Sequence, residues 1–289
     1  MDAPNNDAPP LSPPLLGAGG PPLRGIFFDL DDTLIGYAEA ERLALLAGCA
    51  LASHVNPAID ADALSAAIYD AYNARYGYGT PGFGELARVS IVDFRRLLTA
   101  DALRALGFPC DPDFTVTLVA AYEAAETEAL RRFPDADETL RLLRPHFRLG
   151  VITNGPSAMQ RAKLAALALD GYFDAIVIDT EFGHPKPDAR IFQHAAAQVG
   201  LAPRELLFVG NSLAHDVRGA RAAGWTSVWL REPAAAIFPG LTDATTAPDH
   251  TITRLSELPS LPRIADVLRR RAAAAPATSP TSSKKPSTP

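Results

Sequence analysis

Short uninterrupted apolar runs recur along this chain and predict buried strands, because a strand covered on both faces reads as a continuous hydrophobic run. Helical patterns lie between the later runs, an alternation typical of βαβ units and a parallel sheet. Right-handed crossovers then favour a doubly wound α/β structure. Strands are expected at Ile26–Asp29, Leu149–Thr153, Ala175–Ile178, Leu206–Gly210 and Ser227–Leu230, and helices at Ser157–Leu169, Asp188–Val199 and Ala214–Ala223.

The region between the first two strands has a different pattern. Its apolar residues recur at helical spacing with no convincing strand, which predicts an all-helical insertion at residues 37–130. The α/β core is then formed by residues 23–36 and 131–267. The four helices of the insertion are expected at Ala38–His54, Asp60–Tyr76, Ile91–Leu106 and Thr115–Leu130.

Both ends of the chain differ from the rest in composition. Residues 1–22 are rich in proline, and the C-terminal end is rich in alanine, proline, serine, threonine and lysine. Such segments bury too little apolar surface to offset the entropy lost on ordering. Residues 1–22 and 268–289 are therefore expected to be disordered tails.

Composition excludes several functional classes. A net charge of −6 gives no reason to expect a nucleic-acid partner. No stretch approaches the roughly 18 apolar residues of a membrane helix, and prolines interrupt the N-terminus, so no signal peptide is expected. Cys49 and Cys110 form no C-x-x-C pattern, which suits a reducing compartment. We expect a cytoplasmic monomer or homodimer without a zinc site.

Two carboxylates follow the first apolar run. Asp29 and Asp31 are two residues apart, so they share one face if the chain stays extended. Open α/β sheets bind ligands at the carboxyl ends of their strands. One acid can attack a substrate while the other moves protons, and together they can hold a divalent cation. An Asp-rich turn that merely caps the strand is the alternative.

Three further segments make the pair more specific. Asp29, Asp31 and Thr33 match the D-x-D-x-T signature of the haloacid dehalogenase (HAD) superfamily. Segments 147–155, 183–192 and 208–216 resemble its second, third and fourth motifs in the same order and spacing. The resemblance implies a Rossmann-like core with a five-stranded sheet. It also implies that the Asp29 strand is central and that the helical insertion is a cap.

The resemblance also implies a mechanism. Asp29 is the expected nucleophile and would form an aspartyl-phosphate. Asp31 is the expected general acid, and then the base that activates water. The substrate phosphate would be bound by the Thr153 hydroxyl, by the backbone N–H groups of Asn154 and Gly155, and by the charge of Lys186, which lies between Pro185 and Pro187.

Mg²⁺ is the expected cofactor, and the chain departs from the superfamily pattern at its site. An Asp29 oxygen, the Asp31 main-chain carbonyl and the fourth motif should bind the ion. Most relatives have Asp where this chain has Asn211, which brings one negative charge fewer. Asp216 then contributes directly, through water, or by orienting Lys186.

Three functions follow from these residues. The leading one is a Mg²⁺-dependent phosphatase that acts on a small phosphorylated metabolite. The first rival is a haloacid dehalogenase, whose chemistry needs neither metal nor second Asp, so Asp31 argues against it and Asn211 is mildly in favour. The second rival is a catalytically weak binding or regulatory protein. For substrate recognition, segment 76–84 is either a substrate loop or an ordinary connection, and Arg88, Arg95 and Arg96 face either an anionic leaving group or solvent.

Overall fold

The structure, a computed structural model, describes residues 21–76, 90–231 and 246–274. The described residues form one parallel sheet of six strands in the order β3-β2-β1-β4-β5-β6. This arrangement confirms the predicted doubly wound α/β core. The strands are β1 (Gly25–Phe28), β2 (Arg148–Thr153), β3 (Ala175–Ile178), β4 (Leu206–Gly210), β5 (Thr226–Leu230) and β6 (His250–Ile252).

The expected five-stranded sheet is wrong by one strand. The five strands predicted from apolar runs all form, and β1 lies between β2 and β4 as expected. The additional strand, β6, pairs only with β5 and therefore lies at an edge of the sheet. Of its three residues only Ile252 is buried, so no apolar run marked it in the sequence.

The helices between β1 and β2 bury their own hydrophobic cluster. The cluster supports an inserted all-helical unit, and the described residues of this region contain no strand. The helices are α1 (Tyr37–Val55), α2 (Ala61–Ala71), α3 (Ile91–Ala105) and α4 (Pro112–Ala129), with a π-helical turn at Tyr72–Tyr76. The buried members of the cluster are Cys49, Ala52, Ile59, Leu64, Ala102, Leu103 and Leu118. Residues 77–84, most of the candidate substrate loop, lie outside the described residues.

The remaining helices cover the two faces of the sheet. The helix expected at Ala214–Ala223 is divided into a π-helical turn and a short α-helix, and π-helical turns are frequent at functional sites. The α-helices are α5 (Ala136–Leu143), α6 (Ser157–Ala166), α7 (Asp179–Phe182), α8 (Ala189–Val199), α9 (Arg218–Ala222) and α10 (Pro262–Ala274). The other helical segments are 3₁₀ turns at Asp170–Tyr172, Pro203–Glu205 and Leu255–Ser260 and the π turn at Leu213–Val217.

The predicted C-terminal tail begins too early. Residues 268–274 complete helix α10, and Leu268 packs against the core. The helical period of apolar residues continues past residue 267, which explains why the chain stays ordered there. Residues 1–20 and 275–289, the rest of the predicted tails, lie outside the described residues. No helix within the described ranges is long and apolar enough to span a bilayer.

Strand β1 holds the sheet together because its side chains enter cores on both faces. Phe28 lies in one hydrophobic cluster and Phe27 in the other, and both are fully buried. The ring of Phe27 packs edge-on against Trp225, with centroids 5.2 Å apart. On β2, Gly150 is the residue paired with Phe27. A Cβ at Gly150 would overlap the Phe27 ring, so this position requires glycine.

The close approach at Gly150 gives a stability prediction. Gly150→Ala should lower the free energy of unfolding by about 1–3 kcal/mol, because overpacking forces the buried ring from its position. Gly171→Ala is the matched control, since a Cβ at Gly171 meets no atom within 4 Å. Urea unfolding of both variants measures the difference. Equal stability of the two variants would contradict the predicted clash.

Candidate active site

The carboxyl ends of β1, β2 and β4 bring the predicted site residues together. The Lys186 ammonium lies 2.6 Å from Asp29 Oδ1 and 2.7 Å from Asp216 Oδ1. Asp29 follows β1, and Asp216 lies in the π-helical turn that follows β4. All three side chains are buried. Residues 157 and 30 positions from Lys186 in the chain thus meet at one ammonium group.

This cluster has strongly perturbed protonation. Burial raises the pKa of Asp29 to about 7; Lys186 opposes this rise, and the charges of Asp216 and Asp31 add to it. Burial alone would lower the pKa of Lys186, but the charges of Asp216 and Asp29 outweigh burial and raise it. Lys186 is therefore a fixed positive charge beside the expected nucleophile. An excess of negative charge remains around Asp29, which a bound cation would offset.

Asp216 orients Lys186, one of the three roles that the sequence left open. Its Oδ1 accepts from Lys186, and its Oδ2 accepts the backbone N–H of Ser212 at 2.9 Å. Both carboxylate oxygens are thus engaged in holding the lysine and its own loop. That Asp216 also binds the metal, directly or through water, stays a prediction.

Asn154 fixes the backbone of the lysine loop. Its side-chain Oδ1 accepts the N–H of Lys186 at 2.8 Å, and its Nδ2 donates to the Lys186 carbonyl at 3.0 Å. The backbone N–H of Gly155, expected to bind phosphate, instead donates to Asp179 Oδ1 at 2.8 Å. The assignment of Gly155 to phosphate therefore does not fit this structure, because the donor is already satisfied by a buried carboxylate.

Thr153 ends β2 with a buried hydroxyl close to the acid side of the site. Its Oγ1 lies 2.5 Å from Nε2 of Gln160, which donates to it. A hydroxyl that accepts one hydrogen bond still has its own hydrogen to donate. Thr153 therefore keeps a hydrogen to donate, and its binding of a phosphate oxygen stays a prediction.

Two side chains that the sequence reasoning missed hold Asp31. Lys163 Nζ lies 2.8 Å from Asp31 Oδ1, and Gln160 Nε2 lies 3.0 Å from Asp31 Oδ2. Both belong to helix α6 and are buried. Their spacing of three residues places them on one helix face. Two polar residues on the inner face of a helix that follows a motif strand were the available signal.

The first residue of helix α1 in the cap also contacts Lys163. The ring of Tyr37, the first residue of α1, lies 3.3 Å from Lys163 Nζ, measured to the ring centroid. Asp32 adopts a positive φ of 54°, and its Oδ1 accepts the Ala38 N–H at 2.8 Å. Asp32 therefore shapes the turn from core to cap, while Asp31 faces the site.

The predicted Mg²⁺ ligands offer a suitable donor set. Within the described ranges, no three His, Cys, Asp or Glu side chains are placed to hold a metal ion. The expected set does not need three, because it combines the Asp29 carboxylate, the Asp31 main-chain carbonyl and the Asn211 amide. These are the hard oxygen donors that Mg²⁺ binds, together with retained waters. The Asn211 loop is fixed by Trp229, whose Nε1 donates to the Asn211 carbonyl at 2.9 Å.

Of the three arginines considered for binding an anionic leaving group, two lie in the described residues. Arg95 is buried, pairs with Glu126 at 2.5 Å and lies over the Tyr122 ring at 4.2 Å. It therefore faces neither solvent nor an open anion site. Arg96 forms an exposed ion pair with Asp93, and Arg88 lies outside the described residues.

Several known proteins are similar to this chain in sequence or in structure. The glyceraldehyde 3-phosphate phosphatase of Methanopyrus kandleri is 29% identical over 213 residues, covering 72% of this chain and 84% of the relative. The magnesium-bound HAD-hydrolase YfnB of Bacillus subtilis is 21% identical, with a TM-score of 0.62. The matched region covers 83% of this chain and 99% of the YfnB chain. A 2-haloacid dehalogenase of Pseudomonas syringae is 27% identical, with a TM-score of 0.56. The matched region covers 86% of this chain and 99% of the dehalogenase chain.

The profile of one family matches most of the folded chain. Residues 23–224, more than two thirds of the sequence, match the haloacid dehalogenase-like hydrolases. The match contains β1 to β4, the helical insertion and every residue predicted for the site. The chain belongs to the haloacid dehalogenase-like hydrolase family.

Proposed function

We propose that this protein is a Mg²⁺-dependent phosphatase that hydrolyses small phosphomonoesters through an aspartyl-phosphate intermediate. The observation that carries the proposal is the pairing of a buried nucleophile with a fixed cation, Asp29 and Lys186 at 2.6 Å, beside a second carboxylate, Asp31. Phosphoryl transfer needs positioned charge at the phosphate oxygens and little other protein chemistry. The relative from Methanopyrus supports a phosphate ester as substrate.

In the first step the Asp29 carboxylate attacks phosphorus. The bond between Asp29 oxygen and phosphorus forms, and the ester P–O bond breaks. Asp31 gives its proton to the departing alkoxide, which would otherwise be a poor leaving group. Lys186 and the Thr153 hydroxyl offset the charge on the equatorial oxygens. Mg²⁺, when bound by Asp29, Asp31 and Asn211, would supply further neutralisation of the phosphate charge.

In the second step water hydrolyses the aspartyl-phosphate. Asp31, now deprotonated, accepts a proton from the water as the water oxygen attacks phosphorus. The Asp29 oxygen–phosphorus bond breaks, and inorganic phosphate leaves. Asp29 returns as a carboxylate and Asp31 as an acid, so one turnover consumes only ester and water.

A dehalogenase is the second candidate, and two observations favour it. The 2-haloacid dehalogenase of Pseudomonas syringae is 27% identical, and Asn211 removes one of the expected metal carboxylates. Displacement of halide from carbon produces a leaving group that needs no proton. A second acid would then have no task, whereas Asp31 is bonded through both carboxylate oxygens. Asp31 therefore favours the phosphatase, because ester hydrolysis has a leaving group for this second acid to protonate.

The proposal predicts a specific loss of turnover in Asp29→Asn. The amide has nearly the same size but is a poor nucleophile, so kcat with p-nitrophenyl phosphate and Mg²⁺ should fall at least about 10³-fold. Asp266→Asn is the matched control, because Asp266 forms an exposed ion pair with Arg270. Melting curves show whether both variants fold. Near-normal phosphatase activity of folded Asp29→Asn would refute the mechanism, and release of halide from 2-chloropropionate by the wild type would favour the dehalogenase.

A second prediction concerns the metal. Asn211→Asp restores the carboxylate usual in the family, so the half-saturating Mg²⁺ concentration should fall while kcat changes less. Asn211→Ala removes the amide oxygen and should raise that concentration. Activity titrated against Mg²⁺ gives both values. If Asn211 is not a ligand, the new carboxylate would only repel Asp29 and Asp216, and Mg²⁺ dependence would be unchanged or weaker in Asn211→Asp.

A further inference from the structure

Helix α6 presents two buried polar side chains to the expected acid of the site. Lys163 and Gln160 are 5% and 0% exposed, whereas the Asp31 side chain is 23% exposed. Asp31 is thus the member of this group that reaches open space, and its two oxygens are each bonded to one of the buried residues. Both anchors come from the segment directly after Thr153.

We infer that Lys163 and Gln160 are positioning residues that hold Asp31 in the orientation for proton transfer. The inference rests on the proposed phosphatase function and deepens it. A carboxylate on a free side chain samples several rotamers, and only some of them point towards a leaving group. Two directed hydrogen bonds restrict those rotamers before substrate arrives, which is how pre-organised sites gain rate.

The cost of burying Lys163 argues for a specific role. A buried ammonium loses its hydration, and an ion pair with one carboxylate offsets this loss only with good geometry. Lys163 has the 2.8 Å contact with Asp31 on one side and the Tyr37 ring on the other. A cation over an aromatic face is stabilised further by the charge distribution of the ring. These contacts fix the ammonium in direction as well as in charge.

The second anchor connects the acid to the phosphate side of the site. Gln160 donates to Asp31 Oδ2 and to Thr153 Oγ1, and its Nε2 also lies 3.1 Å from the Asn154 carbonyl. The acid is therefore held relative to the hydroxyl that is expected to bind phosphate. A shift of either group would disturb the other through a single amide.

The cap takes part through its first helical residue. Tyr37 begins α1, and Glu41, one turn later, lies on the same helix face and near enough for the charge of Lys163 to act on it. Lys163 is thus placed between core carboxylate and cap. The cap thus acts on the acid only through Lys163, whose ammonium lies against the Tyr37 ring.

A positioning role has a signature that depends on the leaving group. Phenyl phosphate and p-nitrophenyl phosphate have similar shapes, but phenolate needs protonation far more than nitrophenolate does. Because kcat/KM covers the steps up to departure of the leaving group, Lys163→Met should lower it about 10²-fold for phenyl phosphate and less than about tenfold for p-nitrophenyl phosphate. Arg161→Met is the matched control, since Arg161 lies on the same helix and forms an ion pair with Glu181.

The control should leave the ratio of the two kcat/KM values at its wild-type level. Tyr37→Leu removes the ring but keeps Lys163, and it should change the ratio in the same direction by a smaller factor. If Lys163→Met does not fold, Lys163→Gln keeps a polar end group on a side chain one atom shorter and without the charge, and it should show the same preferential loss for phenyl phosphate.

Other outcomes overturn the inference. Equal losses for both substrates, with a lower melting temperature, would mean that Lys163 only supports the fold. If the wild type is active and Lys163→Met has the same ratio of kcat/KM values as the wild type, the positioning role is also refuted. Failure of the proposed function is a different result: the wild type would then hydrolyse neither ester and would match Asp29→Asn.

Discussion

The arrangement of the site depends on one buried ammonium group. Lys186 is bonded to Asp29 and Asp216 at 2.6 and 2.7 Å, and these carboxylates follow two adjacent strands. The position of Asp216 in turn requires a glycine at the end of β4, because a Cβ at Gly210 would overlap its carboxylate. Without the lysine, two carboxylates would be buried together with no compensating charge, which is a strongly unfavourable state.

The sheet fixes the position of this charge cluster. Its central strand is buried on both faces, and Asp29 follows this strand directly. Asp29 is the first polar residue after Phe27 and Phe28, and its N–H still donates to the Val209 carbonyl at 2.9 Å. Strand pairing thus extends to Asp29, the proposed nucleophile. A side chain whose backbone is held by the sheet has little freedom to change position.

The sequence was sufficient for those features that leave a local pattern. Apolar runs gave five strands, helical periodicity gave the cap, and the motif residues Asp29, Thr153 and Lys186 come together at one edge. Strand β6 was not predicted, because a three-residue edge strand with one buried side chain shows no hydrophobic periodicity in the sequence.

Features set by distant contacts were not predictable in the same way. Gln160 and Lys163 lie 129 and 132 residues from Asp31, and nothing in a single helical pattern shows which partner a polar side chain meets. The bond from Gly155 to Asp179 is of the same kind, because a backbone N–H looks free until a side chain from another segment is placed on it.

The paired hydrogen bonds between Asn154 and the Lys186 backbone have a mechanical consequence. The side-chain amide presents a donor and an acceptor just as a peptide unit does, so the lysine loop is joined to the end of β2 like one more rung of the sheet. Thr153 and Lys186 are therefore parts of a single rigid unit within the core. The spacing between the two groups expected to hold a phosphate is then set within the core and does not depend on the helical cap.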